Sequence, residues 1–201
     1  ENGFIMRKKE SERYQLGYRI WELSNQVDTL YHPALLFLPE MQRLRDQLDE
    51  TISLYIRDGF ERLRIQSVES QQAIRRVAPV GVRLSLAVGA SSKILLAYET
   101  PEVQQELITY LNREVQIHPD ILRAQIVQVQ LEGYAKSFEE REIGAAAISL
   151  PVLTQSGRLI AALSVSGPAN RLTSERMDQF LPSISAAAKR MSQQFHPASL
   201  Q

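Results

Sequence analysis

Hydrophobic positions along the chain repeat with two periods, and the change from one to the other divides it into elements. Between Ala145 and Val165 apolar residues run almost without interruption, broken at Gln155-Ser156-Gly157. This predicts strands over Ala145–Leu153 and Leu159–Val165 joined by a tight turn. Thr51–Arg57 and Leu63–Glu69 alternate around Asp58-Gly59-Phe60, a hairpin turn in which glycine supplies positive φ. Tyr134–Phe138 reads as a short strand, Ala73–Val77 as a further one, and Val82–Val88 is apolar. Helical spacing appears over Tyr18–Leu30, where Tyr18, Trp21 and Val27 form a stripe that His32-Pro33 ends. Further helices are predicted over Ala34–Leu48, with Pro39 in the first turns, and over Lys93–Glu99. One capped by Thr100 runs to Leu111, and one opened by His118-Pro119-Asp120 runs to Leu131 and ends at Gly133. The last spans Ser174–Gln194, with Met177, Phe180, Ile184, Ala188 and Met191 as its buried stripe and Pro182 expected to kink it. Before these, Phe4-Ile5-Met6 and Tyr14-Gln15-Leu16 read either as a hairpin with a charged tip or as a disordered tail.

Two places carry candidate chemistry. Ser164 and Ser166 point to one side of their strand, because strand residues alternate faces. Paired hydroxyls on an apolar face either grip a small polar ligand or bond to backbone inside a core. Gly89-Ala90-Ser91-Ser92 leads into a helix. Its free N–H groups suit a carboxylate, or a serine there merely caps the helix.

Composition narrows the chemistry. The 201 residues hold 23 Lys and Arg against 23 Asp and Glu, so the chain has no bulk attraction to nucleic acid or anionic lipid. It has no cysteine, which fits a reducing cytoplasm and removes disulfide and thiolate chemistry. No apolar run approaches the roughly 18 residues that span a bilayer. His32, His118 and His196 each precede a proline and share no metal-ligand spacing, so neither a metal nor another cofactor is expected. Phosphate-binding glycine loops and a GxSxG elbow are missing. Glu139-Glu140-Arg141-Glu142 reads as a solvated loop face rather than as catalytic carboxylates, and no enzyme is expected. The start at Glu1, without methionine, is read as the interior of a longer protein.

Taken in order, several short motifs resemble the IclR family of bacterial transcription regulators. They are Tyr14-Gln15-Leu16-Gly17, Ser67-Val68-Glu69-Ser70, Pro79-Val80-Gly81, Lys93-Ile94-Leu95-Leu96-Ala97 and Gly133-Tyr134-Ala135. Pro151-Val152, Gly157 and Ser164-Val165-Ser166-Gly167-Pro168 with Arg171-Leu172-Thr173 complete the set. The resemblance implies an α+β effector-binding domain of the GAF/PAS-like kind, a curved antiparallel sheet flanked by helices, over residues 32–201. It implies a linker helix over 17–31 and a remnant of a winged helix-turn-helix over 1–16, whose recognition helix is not in this sequence. It further implies a small-molecule effector, a carboxylic acid, aliphatic or aromatic. Operator DNA would be bound through the missing N-terminal domain, and the protein would be a homodimer or homotetramer. The competing reading is a GAF-type sensor attached to a partner that does not bind DNA. The family's ligand loop falls on Ala90 and Ser91, and its strand serines on Ser164 and Ser166. Apolar wall positions fall on Ala73, Leu84 and Ala145. Three positions depart from the family pattern: Arg76 for a bulky apolar residue, Ser137 for aspartate and Ala147 for cysteine. Arg76 either faces the pocket, where a guanidinium suits a carboxylate, or faces solvent.

Overall fold

A computed structural model describes residues 2–8, 13–26 and 33–195. Among them, strands β3 (Thr51–Asp58), β4 (Glu61–Val68), β5 (Arg83–Ser85), β6 (Ala135–Phe138), β7 (Ala145–Leu153) and β8 (Leu159–Pro168) form one six-stranded sheet in the order β5-β4-β3-β8-β7-β6. Every pairing is antiparallel. Helices α4 (Ala90–Ala97), α5 (Pro101–Val115) and α6 (Pro119–Glu132) cover one face. Helices α2 (Pro33–Leu36), α3 (Leu38–Leu48) and α7 (Ser174–Gln194) cover the other. The fold is the expected α+β architecture, a curved antiparallel sheet flanked by helices.

The two faces follow from period-2 alternation. Ile52 and Leu54 of β3, Ile148 and Val152 of β7, and Leu163 and Val165 of β8 point toward α3 and α7. There they meet Met41, Leu44, Met177, Ile184 and Met191. Burial of a side chain this size contributes about 1.5–3 kcal/mol. Alternate residues point the other way, and there the sheet carries Tyr55, Ala162, Ser164 and Ser166. A bulge in β4 shapes that second face. Leu54 pairs with Gln66 but Tyr55 pairs with Arg64, so Ile65 is the extra residue. The bulge switches the parity of the strand. Arg62 and Arg64 consequently share a face with Ser67, three residues from Arg64, whose hydroxyl meets Ser53.

The boundaries differ from expectation in places with clear causes. Ala73–Val77 is not a strand: the segment is largely exposed and pairs with no ladder. The predicted helix over Ala34–Leu48 is two helices with Phe37 between them, because Pro39 near the start of α3 cannot donate a helical hydrogen bond. Helix α4 starts three residues before Lys93, so Ser91 and Ser92 lie inside its first turn. Helix α7 continues through Pro182. At the N-terminal end, β1 (Ile5–Arg7) pairs with β2 (Tyr14–Leu16), and α1 (Tyr18–Gln26) follows. The hairpin tip, the end of the helix predicted to Leu30, the Trp21 side chain and His196 lie outside the described features.

The motif ending β8 has a structural role. Glu50 is fully buried at the start of β3, and Arg171 meets it with two hydrogen bonds, Nε at 2.5 Å and Nη2 at 2.9 Å. The same guanidinium donates to the Ile74 carbonyl and holds the 70–78 segment beside the sheet. Gly167 packs onto the Glu50 carboxylate so closely that a Cβ would overlap it.

Candidate functional site

Where α4 points its N-terminus at the sheet, a small pocket, partly open to solvent, lies between β3, β4, β7, β8 and the loop over 139–144. Helix α4 begins at Gly89, whose φ of 101° is in a region that side chains rarely adopt. A Cβ there would also stand 2.8 Å from Arg62 Nη1, so glycine is required both by conformation and by space. No side chain caps the helix. Ala90 and Ser91 are its first two residues, and their N–H groups have no intrahelical acceptor. The Gly89 N–H, by contrast, is already taken. It donates to Glu140 Oε2 at 2.9 Å, while Glu140 Oε1 accepts from Lys93 Nζ.

Most of the residues expected from the sequence meet here. Ala90, Ser91, Ser137, Ala145, Ala147, Ser164, Ser166 and Arg76 all line the pocket. Ala145, Ala147 and Ala90 keep the space open because they are small. The serines divide by their bonding. Ser164 Oγ reaches the Ile148 carbonyl at a long 3.4 Å, and Ser91 Oγ accepts from Arg62. The hydroxyls of Ser137 and Ser166 meet no partner among the described residues. Of the pair on β8, Ser166 is therefore free of the backbone and Ser164 makes only a long bond to it, whereas Ser149 is held by its 2.8 Å bond to Leu163.

Two expected wall residues lie elsewhere. Ala73 is exposed in the irregular 70–78 segment, beside Asp49 and Gln72, because no strand forms there to turn it inward. Leu84 sits on the edge strand β5 opposite Arg62 and packs against the apolar cluster under α4 and α5. Arg76 faces the pocket, but its guanidinium is ion-paired with Glu142.

The sequence reading missed Arg62, Arg64 and Tyr55. Arg62 is 4% exposed, and its Nη1 donates to Ser91 Oγ at 2.7 Å. Its Nε is buried without an acceptor. Burial, reinforced by the neighbouring Arg64 and Arg76 charges, lowers its pKa to about 10, so it is a cation at neutral pH. Arg64, 3% exposed, donates from Nε and Nη2 to the Tyr55 hydroxyl at 2.9 and 2.8 Å and from Nη1 to the Pro79 carbonyl at 3.1 Å. A buried cation with unmatched donors, next to open helix N–H groups, attracts an anion. No histidine among the described residues lines the pocket. Among the described residues no cluster of metal-ligating side chains occurs, and no helix is long and apolar enough to cross a membrane.

Comparison with known proteins shows the family and the fold. The family described as "Bacterial transcriptional regulator IclR C-terminal" matches residues 34–193. The chain is 28% identical to the HTH-type transcriptional regulator KdgR of Escherichia coli K12, covering 96% of this chain and 75% of that protein. It is 28% identical to KipR of Bacillus subtilis, covering 96% and 78%. The Thermotoga maritima IclR structure superposes with a TM-score of 0.79 at 27% identity, over 96% of this chain and 80% of that one. An IclR homologue from Microbacterium hydrocarbonoxydans, solved in complex with 4-hydroxybenzoate, shares the fold with a TM-score of 0.80 at 23% identity, over the same 96% and 80%. The chain belongs to the IclR family of transcriptional regulators and carries its effector-binding domain.

Proposed function

We propose that this chain is the sensory part of a regulator whose effector is a small organic acid bound in the pocket at α4. The acid's carboxylate accepts from the Ala90 and Ser91 N–H groups, and Arg62 supplies the counter-charge. Ser137, Ser164 and Ser166 meet polar groups elsewhere on the ligand, while Ala145 and Ala147 leave it room. The observation that carries this reading is the buried Arg62, which makes one hydrogen bond and leaves its Nε unpaired beside the open end of a helix. The 4-hydroxybenzoate held by the Microbacterium homologue is a carboxylic acid and supports the same class.

On this reading residues 1–16 are the end of a winged helix-turn-helix, residues 17–31 a linker helix and residues 32–201 the effector domain. Acid binding changes how effector domains pack in a homodimer or homotetramer, and the linker passes the change to the DNA-binding heads. The acid achieves this only by binding one quaternary state more tightly than another, with a coupling of about 1–3 kcal/mol. The Ser-rich pocket binds its acid and does not turn it over. A melting-temperature screen of the chain against aliphatic and aromatic acids tests the first step, since a ligand selective for the folded state raises Tm. Operator affinity of the intact regulator, with and without the hit, tests the second. If no acid raises Tm, the reading is wrong; if the hit leaves operator affinity and oligomeric state unchanged, the coupling is wrong.

A further inference from the structure

Arg62 and Arg64 are the two pocket arginines without a contact ion pair among the described residues. They lie on one face of β4, are almost fully buried, and stand over the same Tyr55 ring, 5.4 and 5.2 Å from its centroid. Neither has a carboxylate at ion-pair distance among the described residues. The other cations nearby differ. Arg76 and Arg141 share Glu142, and Lys93 holds Glu140. The two acidic groups lining the pocket are thereby engaged by other cations, and the buried guanidinium groups of Arg62 and Arg64 keep no carboxylate at ion-pair distance. Two buried charges of one sign are sustained when something brings two of the other.

Resting on the acid-binding reading above, we propose that the effector is a dianion, a small dicarboxylic acid. One carboxylate takes the Ala90 and Ser91 N–H groups together with the open Nε edge of Arg62. The second lies toward Arg64. There the Tyr55 oxygen accepts two N–H bonds from Arg64, so its own proton is free to be donated to a carboxylate. The rest of the wall favours this over an aromatic monoacid. Tyr55 is the one aromatic side chain lining the pocket, and the apolar lining is otherwise alanine and glycine, which cannot sandwich a ring.

Calorimetric titration of the full 201-residue chain tests this with matched pairs: succinate against butyrate, glutarate against valerate, adipate against hexanoate. The tightest diacid is expected to bind at least about tenfold more tightly than its monoacid of equal carbon number, the gain of one further charge-assisted contact. That advantage should shrink as NaCl is raised. In Arg64→Gln, and independently in Tyr55→Phe, it should fall to about threefold or less, whereas Arg62→Gln should weaken monoacid and diacid alike. Monoacids binding as tightly as diacids would overturn the dianion and leave the acid-binding reading standing. A diacid advantage fully retained in both folded variants, Arg64→Gln and Tyr55→Phe, would overturn the placement of the second carboxylate. Absence of binding by every acid in both series would count against the acid-binding reading itself.

Discussion

On one side of the sheet Ile52, Leu54, Ile148, Leu163 and Val165 are sealed under α3 and α7 with no polar atom among their side chains. On the other, the same strands present Tyr55, Arg62, Arg64, Ser164 and Ser166 to a pocket. Both sides are buried to a similar degree, so burial alone does not separate core from site. What separates them is whether the buried groups satisfy one another. The apolar side needs nothing further. The polar side leaves a guanidinium Nε and two serine hydroxyls without partners and keeps small residues where larger ones would pack. The first face is packing throughout, whereas the second combines the apolar cluster under α4, α5 and α6 with a pocket whose unmatched groups, on the proposed reading, a ligand completes.

That contrast is open to direct attack, beginning with the largest effect. Ile148→Ala, on the apolar face, should lower unfolding free energy by about 3 kcal/mol, the loss of packing plus a residual cavity, with acid affinity little changed in the folded fraction. Urea denaturation and calorimetry would read both. Arg171→Ala should also destabilise, by about 3 kcal/mol, because it strands a buried Glu50. A loss below about 1 kcal/mol would show that Glu50 finds another partner. Arg62→Met should behave in the opposite way. The stem is kept and an unpaired buried charge removed, so the free protein should gain about 1 kcal/mol while acid affinity drops at least about tenfold. Ser166→Ala should leave stability within about 0.5 kcal/mol and weaken binding by about 1 kcal/mol, the value of one hydrogen bond.

The pH dependence sharpens the same point. Burial lowers the Arg62 pKa to about 10, so the group is charged throughout the neutral range. For a base with a depressed pKa, the cost of burying the charge is fully present below about pH 10 and is relieved as pH rises from there toward its ordinary value. The acid-binding contribution of Arg62 runs the other way. Affinity for a fully ionised acid should be flat between about pH 6 and 9 and fall as pH passes 10, as titrations at fixed ionic strength would reveal.

Much of this was legible in the sequence, and the misses have physical causes. The hairpin of β7 and β8 stands out because a buried strand pair leaves a long apolar run, and with it came Ser164 and Ser166; Ala145 and Ala147 came from the family resemblance. The loop before α4 was readable from small residues ahead of a helix. Arg62 and Arg64 were not, for two reasons. A charged residue in an alternating strand reads by default as solvent-facing. The bulge at Ile65 also changes which residues share a face, and no period-2 count anticipates it. Glu140 was read as part of a solvated loop, yet its carboxylate folds back onto the Gly89 N–H, a contact set by the tertiary path of the 139–144 loop. Ala73 was placed in the wall by the family resemblance, and the strand expected over Ala73–Val77 that would have carried it does not form. Arg76 was left open between pocket and solvent; it lines the pocket and has its partner in Glu142.

The most direct test of the central claim is the amide spectrum of the isotopically labelled chain during titration with glutarate. The account predicts saturable shifts that are largest at the Ala90 and Ser91 amides, together with the Arg62 Nε–H. Saturable binding that leaves those three signals in place and moves others, such as those around Lys136, would contradict it.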